Sequence, residues 1–133
     1  GRDLLHGGEG ADLFLFASAA ESTSVNFDNL AGFNPAGGDR IDLPGTVSAM
    51  NPAVQGGSLS QGSFDADLSA ALGVDQLSAG NAVLFTASSG DMAGRLFLIA
   101  DGNGQAGYQA GADFVFELTS PPPLTDINAS LFI

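Results

Sequence analysis

Residues 7–15, Gly-Gly-Glu-Gly-Ala-Asp-Leu-Phe-Leu, combine glycines and an aspartate at a spacing that suits a hard cation. They fit the nonapeptide G-G-x-G-x-D-x-U-x, in which U is apolar, of calcium-binding parallel β-helices. The glycines allow left-handed turns that expose carbonyl oxygens, and the aspartate adds a carboxylate. We therefore predict calcium ligands at Gly8, Gly10 and Asp12.

The first five residues carry the same pattern one period earlier. Residues 1–5, Gly-Arg-Asp-Leu-Leu, recur nine positions later as residues 10–14, Gly-Ala-Asp-Leu-Phe. Such self-similarity at a fixed period is typical of a solenoid, whereas a plain glycine-rich hairpin is the alternative. Asp3 is therefore a further candidate ligand. Because the ligands of such a roll come from successive turns, we expect more repeats upstream in a longer protein.

A second candidate metal loop begins at residues 101–105, Asp-Gly-Asn-Gly-Gln. Its side-chain oxygens alternate along the loop, a spacing that can wrap a chain around calcium. The predicted ligands are Asp101, Asn103, Gln105 and Asp113. The loop lacks the glycine and the bidentate glutamate that an EF-hand requires, so an Asx-rich β-turn without an ion is the alternative.

Acidic residues dominate the charge of the chain. There are 15 Asp and Glu, 12 of them Asp, against three arginines and no lysine, so the formal net charge is -12. Short carboxylates suit oxygen ligands in turns, and bound divalent cations would relieve their repulsion. Asp39 and Asp42, with Asp28 as an additional candidate, form a third acidic group. A soluble or salt-adapted acidic surface is the alternative.

Several function classes are disfavoured by what the sequence lacks. It has no cluster of cations for nucleic acid, no apolar run long enough for a membrane span and no cysteine for a disulfide or zinc-thiolate site. The one histidine, His6, is most simply a variable position of the repeat, and no nucleophile elbow or phosphate-binding loop is present. We therefore predict that this chain is not an enzyme.

Three segments are expected to position the candidate ligands in a mainly all-β fold. Residues 1–43 are predicted as the end of a truncated parallel β-roll or β-helix, residues 44–80 as a loop excursion with one short helix, and residues 81–133 as a β-rich C-terminal cap. Strands are expected at residues 12–16, 81–86, 95–100 and 113–118, and two further rungs at residues 27–33 and 40–43, around a turn.

The loop excursion should run over the surface from residue 44 to residue 62 and then enter the helix. Ser63 is expected to cap that helix, with Phe64 and Leu72 among its buried residues and Gly73 as its stop. Asp65 is expected to face solvent.

Residues 7–16 and 28–43 together resemble the carboxyl-terminal region of repeats-in-toxin (RTX) proteins, which bacteria export by type I secretion. The later Asp-Gly-Asn-Gly turn, the Asp113 strand and the apolar terminus are similar to the same region. The resemblance implies a right-handed parallel β-roll that folds on calcium, with an uncleaved secretion signal near its carboxyl end. Only one complete nonapeptide is present, and Asn34-Pro35 departs from the pattern.

The expected function is a non-catalytic, calcium-binding RTX module that folds outside the cell and carries a type I secretion signal. Its expected partners are calcium ions, upstream RTX repeats and the type I secretion machinery, and its expected location is extracellular or at the cell surface. One alternative is a self-assembling module of a surface layer, filament or adhesin. Another is the C-terminal domain of a secreted hydrolase whose catalytic part lies upstream.

Overall fold

Short strands joined by glycine-containing turns form most of the structure, which is a computed structural model that describes all of residues 1–133. The predicted β-rich class is confirmed. The strands are β1 (Leu4–His6), β2 (Leu13–Leu15), β3 (Asp28–Ala31), β4 (Arg40–Asp42), β5 (Ala82–Thr86), β6 (Leu96–Ala100) and β7 (Phe114–Thr119). One α-helix, α1, covers Phe64–Ala71, and six short 3₁₀ turns complete the elements. None of the helices reaches the length and apolar content that a membrane crossing requires.

Five strands form a mixed sheet in the order β1-β3-β7-β6-β5. β1, β3 and β7 are parallel, and their register places Leu30 between Leu5 and Leu118. β5, β6 and β7 lie where three strands were predicted, and they form an antiparallel meander. The sheet therefore joins strands from the first and last parts of the chain.

A second, parallel sheet consists of β2 and β4, with Phe14 opposite Ile41. From β1 to β4 the chain alternates between the two sheets, because β1 and β3 belong to the large one and β2 and β4 to the small one. Phe132 extends the small sheet through an isolated parallel bridge to Ile41. The carboxyl terminus is thereby fixed next to β4.

Apolar residues cover both faces of the large sheet. Successive side chains of a strand point to opposite faces. Leu98 and Phe116 accordingly pack towards the small sheet, whereas Phe97 and Val115 pack towards α1. Burying one such side chain contributes about 1.5–3 kcal/mol. The result is a layered core with the large sheet in the middle.

The chain covers the outer edge of β5 but leaves the edges of β1 and β2 without a further strand. The segment predicted as a surface excursion, residues 44–62, follows β5 instead of looping freely, and Val47 and Leu59 are buried. Its isolated bridges are Met50 with Ala82, Val54 with Phe85 and Ser58 with Ser89.

The predicted helix is present and Ser63 is its N-cap residue, as expected, but Ser63 and Gly73 do not act as predicted at its two ends. The Ser63 side chain makes no capping bond to the backbone and donates instead to Oδ2 of Asp67 at 2.7 Å. The helix ends at Ala71, before Gly73, which lies outside the left-handed region. Phe64, Leu68 and Leu72 are buried, as expected.

Candidate metal centre

Two pairs of aspartates connect successive turns of the amino-terminal part. The Asp3 N–H donates to Oδ1 of Asp28 at 2.8 Å, and the Asp12 N–H donates to Oδ1 of Asp39 at 3.0 Å. Each pair lies at the amino ends of two parallel neighbours, β1 and β3 in one case and β2 and β4 in the other. The structure therefore brings Asp3 next to Asp28 and Asp12 next to Asp39.

The nonapeptide turn leaves one carboxylate oxygen of Asp12 without a partner. Its Oδ2 atom is shielded from solvent and accepts no hydrogen bond. A Cβ atom added at Gly7 would lie only 2.5 Å from this oxygen, so glycine provides the space that Oδ2 occupies. Gly8 and Gly10 are exposed and left-handed, with φ of 88° and 97°. These residues fit a cation ligated by a carboxylate and by turn carbonyls.

Asp39 joins this turn to the next one. It is buried, and its second oxygen, Oδ2, accepts the Asn34 N–H at 2.9 Å. A Cβ atom at Gly38, where φ is 107°, would meet the side chain of Ala11 at 2.7 Å. The two turns are therefore in close contact, and Asp39 holds both of them by their amides.

Asp28 is almost fully buried, and its pKa is raised above the ordinary value. Burial is the main cause, and the nearby Asp3 carboxylate adds to it, while the hydrogen bond from the Asp3 amide opposes it. A bound cation would favour the ionised form and offset this penalty.

The third acidic group does not come together around one point. Asp42 lies at the opposite end of β4 from Asp39, and Asp28 belongs to the large sheet. No group of three or more His, Cys, Asp or Glu side chains is placed to share a metal ion. An ion in the amino-terminal turns would thus need backbone carbonyls in addition to paired carboxylates.

Asp101 and Asp113 organise the second candidate loop through backbone amides. Both are buried, and their four carboxylate oxygens accept five N–H groups at 2.6–3.0 Å. Asp101 binds the amides of Gly80, Asn103 and Gly104, and Asp113 binds those of Gly102 and Gln109. The two carboxylates therefore close the loop at its base.

The pKa of Asp113 is raised to about 6, chiefly by burial and in smaller part by the neighbouring Asp101 carboxylate. The amides of Gly102 and Gln109 act in the opposite direction. Contact between two buried acidic groups favours the binding of a cation or the sharing of one proton between them.

The other two predicted ligands of this loop, Asn103 and Gln105, are exposed. Oδ1 of Asn103 accepts the Gln105 N–H at 3.1 Å, which is an Asx turn. Of the four predicted ligands, the structure therefore brings together Asp101 and Asp113 at the base and leaves Asn103 and Gln105 at the tip.

Sequence reasoning missed the residues that attach this loop to the rest of the protein. The Thr23 hydroxyl donates to the Asp113 carbonyl at 2.6 Å and accepts the Gly111 N–H at 3.2 Å. Asp65, which was predicted to face solvent, accepts the Tyr108 hydroxyl at 2.8 Å and the Ser24 hydroxyl at 2.8 Å. These contacts span 41 to 90 positions, so no local sequence pattern could reveal them.

Comparison of the chain with protein-family models, curated proteins and solved structures gives no match. The function therefore has to be inferred from the residues of this chain.

Proposed function

We propose that this chain is a non-catalytic, calcium-stabilised module of RTX type that forms the C-terminal part of a larger exported protein. In this proposal, residues 1–43 are the last turns of a parallel β-roll, and the remaining residues cap it. The observation that carries the proposal is the glycine turn of residues 7–12, where Asp12 presents a buried oxygen with no partner.

The strand pairing supports the β-roll part of the proposal. Parallel partners alternate between two sheets, and each pair begins at an aspartate-to-amide contact, Asp3 to Asp28 and Asp12 to Asp39. The free edges of β1 and β2 could accept further parallel strands from preceding repeats.

Calcium would supply positive charge at turns whose negative charge is otherwise uncompensated. Asp12 and the exposed carbonyls of Gly8 and Gly10 are the residues proposed to hold it in the nonapeptide turn, and Asp101 and Asp113 are those proposed for the second loop. With a net charge of -12, the chain gains stability from any cation that binds only its folded form. At an ion concentration of about 100 times Kd this gain is about 2.7 kcal/mol.

This linkage gives a physical reason for folding after export. Where free calcium is far below Kd, repulsion among the acidic turns shifts the equilibrium towards the unfolded chain. Where free calcium is far above Kd, the folded form is favoured. A chain that folds outside the cell cannot slide back through a secretion channel. The type I secretion signal and the extracellular location are part of this proposal.

A structural role in a surface layer, filament or adhesin is the second candidate. Leu4, Leu13 and Leu15, on the uncovered edge strands, are 54–68% exposed, which favours self-association. A calcium-dependent polymer would support this role, and a monomer at the same calcium concentration would favour the first one. The tail of a secreted hydrolase remains a third candidate, which catalytic motifs in an upstream part would support.

Calcium titration followed by circular dichroism tests the leading proposal. We expect a strong chelator to lower the stability of the fold and increase the expanded fraction of the chain, and calcium to produce a cooperative gain of β signal with a higher midpoint of thermal unfolding. Magnesium at the same concentration controls for general screening of charge. Equal folding and equal heat stability in chelator and in calcium would contradict the proposal.

A further inference from the structure

The tip of the second loop contains the one Asn-Gly pair of the chain, Asn103-Gly104. Both residues are exposed. A Cβ atom added at Gly104 would meet no heavy atom within 4 Å, so the space around this peptide bond is open. An asparagine followed by an unhindered glycine is the arrangement in which the next backbone nitrogen can reach the side-chain amide carbon.

We propose that Asn103 is a site of spontaneous deamidation. The Gly104 backbone nitrogen loses its proton to hydroxide and forms a bond to Cγ of Asn103. The bond from Cγ to Nδ2 breaks, and the leaving nitrogen takes a proton from water and departs as ammonia. Water then adds to one of the two carbonyls of the succinimide ring, which opens to aspartate or isoaspartate. The net change is consumption of one water and release of one ammonia, with no redox step.

The other asparagines of the chain lack this combination. Asn34 and Asn51 precede prolines, which have no N–H to lose, and Asn26, Asn29, Asn81 and Asn128 precede residues with a side chain. A Cβ atom on the following residue crowds the ring that has to close.

Asn128 is the matched comparison within the same molecule. It is exposed, and its Oδ1 accepts the Ser130 N–H at 3.0 Å, which repeats the Asx turn of Asn103. Its next residue is Ala129. The Ser130 hydroxyl also donates to this oxygen. The two sites therefore share exposure and turn type, and they differ in this hydroxyl contact, in the bond that holds the Gly104 N–H and in the residue that supplies the attacking nitrogen.

The neighbouring Asp101-Gly102 pair has the same spacing but is protected. Asp101 is buried, and the Gly102 N–H is held by Oδ1 of Asp113 at 3.0 Å. A Cβ atom at Gly102 would collide with the carbonyl oxygen of Ala112. The Gly104 N–H is also hydrogen-bonded, to Oδ1 of Asp101 at 3.0 Å, and this bond is partly buried. It has to open before the nitrogen can attack, but Asn103 and Gly104 are themselves exposed, so they lose little buried contact when it opens.

Deamidation would change the charge and the geometry of the loop. An aspartate at position 103 adds a carboxylate two residues from Asp101. An isoaspartate instead lengthens the backbone inside the turn in which the Asn103 and Gly104 amides bind Asp101. Either product alters the loop without an enzyme.

The test is peptide mapping by mass spectrometry of the full chain, incubated folded in calcium-containing buffer at mildly acidic and mildly alkaline pH. We expect a gain of about 1 Da at Asn103 before any other asparagine, and a faster gain at the higher pH. The expected rate is about tenfold that of Asn128, which corresponds to a barrier lower by about 1.4 kcal/mol.

An Asn103→Gln variant provides the control, because its longer side chain does not form the five-membered ring. Its acidic charge variants should appear much more slowly than those of the wild-type protein. Equal rates at Asn103 and Asn128 in the wild-type chain, or undiminished acidic variants in N103Q, would overturn the proposal.

Discussion

Replacing Asp12 by Asn should affect stability in opposite directions with and without calcium. Without the ion, Oδ2 of Asp12 is a shielded, charged oxygen that no group compensates. A buried polar atom without a partner costs about 1–3 kcal/mol, and a charged one costs more. Asn has nearly the same shape but no charge, so Asp12→Asn should leave stability in chelator unchanged or raise it.

With calcium, the same substitution should weaken binding. One charge-assisted ligand is worth about 1.5–3 kcal/mol, which is roughly a 10- to 150-fold increase in Kd. Asp75→Asn is the matched control, because Asp75 is exposed and no hydrogen bond involves its side chain. It removes the same charge from a surface position.

Isothermal calorimetry with calcium and urea unfolding in calcium and in chelator measure the two effects. The Asp12 variant should lose affinity and lose its stabilisation by calcium, whereas the Asp75 variant should resemble the wild-type protein. The same Kd for both variants, or an equal loss of stability by D12N in both buffers, would refute the reasoning and leave Asp12 with a structural role only.

Two further predictions concern other parts of the chain. Because burial raises the pKa of Asp113 from 3.8 to about 6, the folded state holds more protons than the unfolded one between these values. In chelator, the free energy of unfolding should therefore fall as pH rises from about 4 to about 6, by up to about 3 kcal/mol. Asp113→Asn should flatten this part of the pH profile, as measured by urea unfolding. An unchanged profile would exclude Asp113 as the source of the pH dependence. Leu131→Ala should lower the free energy of unfolding by about 2–5 kcal/mol in the same assay, because Leu131 is 1% exposed. Ile133→Ala should change it little, because Ile133 is 62% exposed. Equal effects of the two substitutions would show that the terminal segment is not docked in solution.

The sequence predicted those elements whose own residues determine them. β5, β6 and β7 follow from runs of apolar and β-branched residues, and the inward side chains of Phe14 and Phe16 follow from alternation. The aspartates of the turns were found because glycine and aspartate spacing is a local signal.

Features that depend on distant partners could not be predicted. Asp65 is not free in solvent because Tyr108, 43 positions away, reaches it. Residues 44–62 were predicted as a loop because their pairing depends on the edge of β5, which lies later in the chain.

The position of β3 between β1 and β7 sets an order of assembly. Neighbouring strands of the β5-β6-β7 meander are close in sequence, so these strands can pair early. The pairing of β3 with β7 has to close a long loop, as the bond from Asn29 to Glu117 across 88 positions shows. Long-range parallel pairing forms slowly because the entropy cost of closing the loop comes before the contacts that stabilise the pair. The amino-terminal turns should therefore acquire their structure last, on a template that the carboxyl-terminal meander provides.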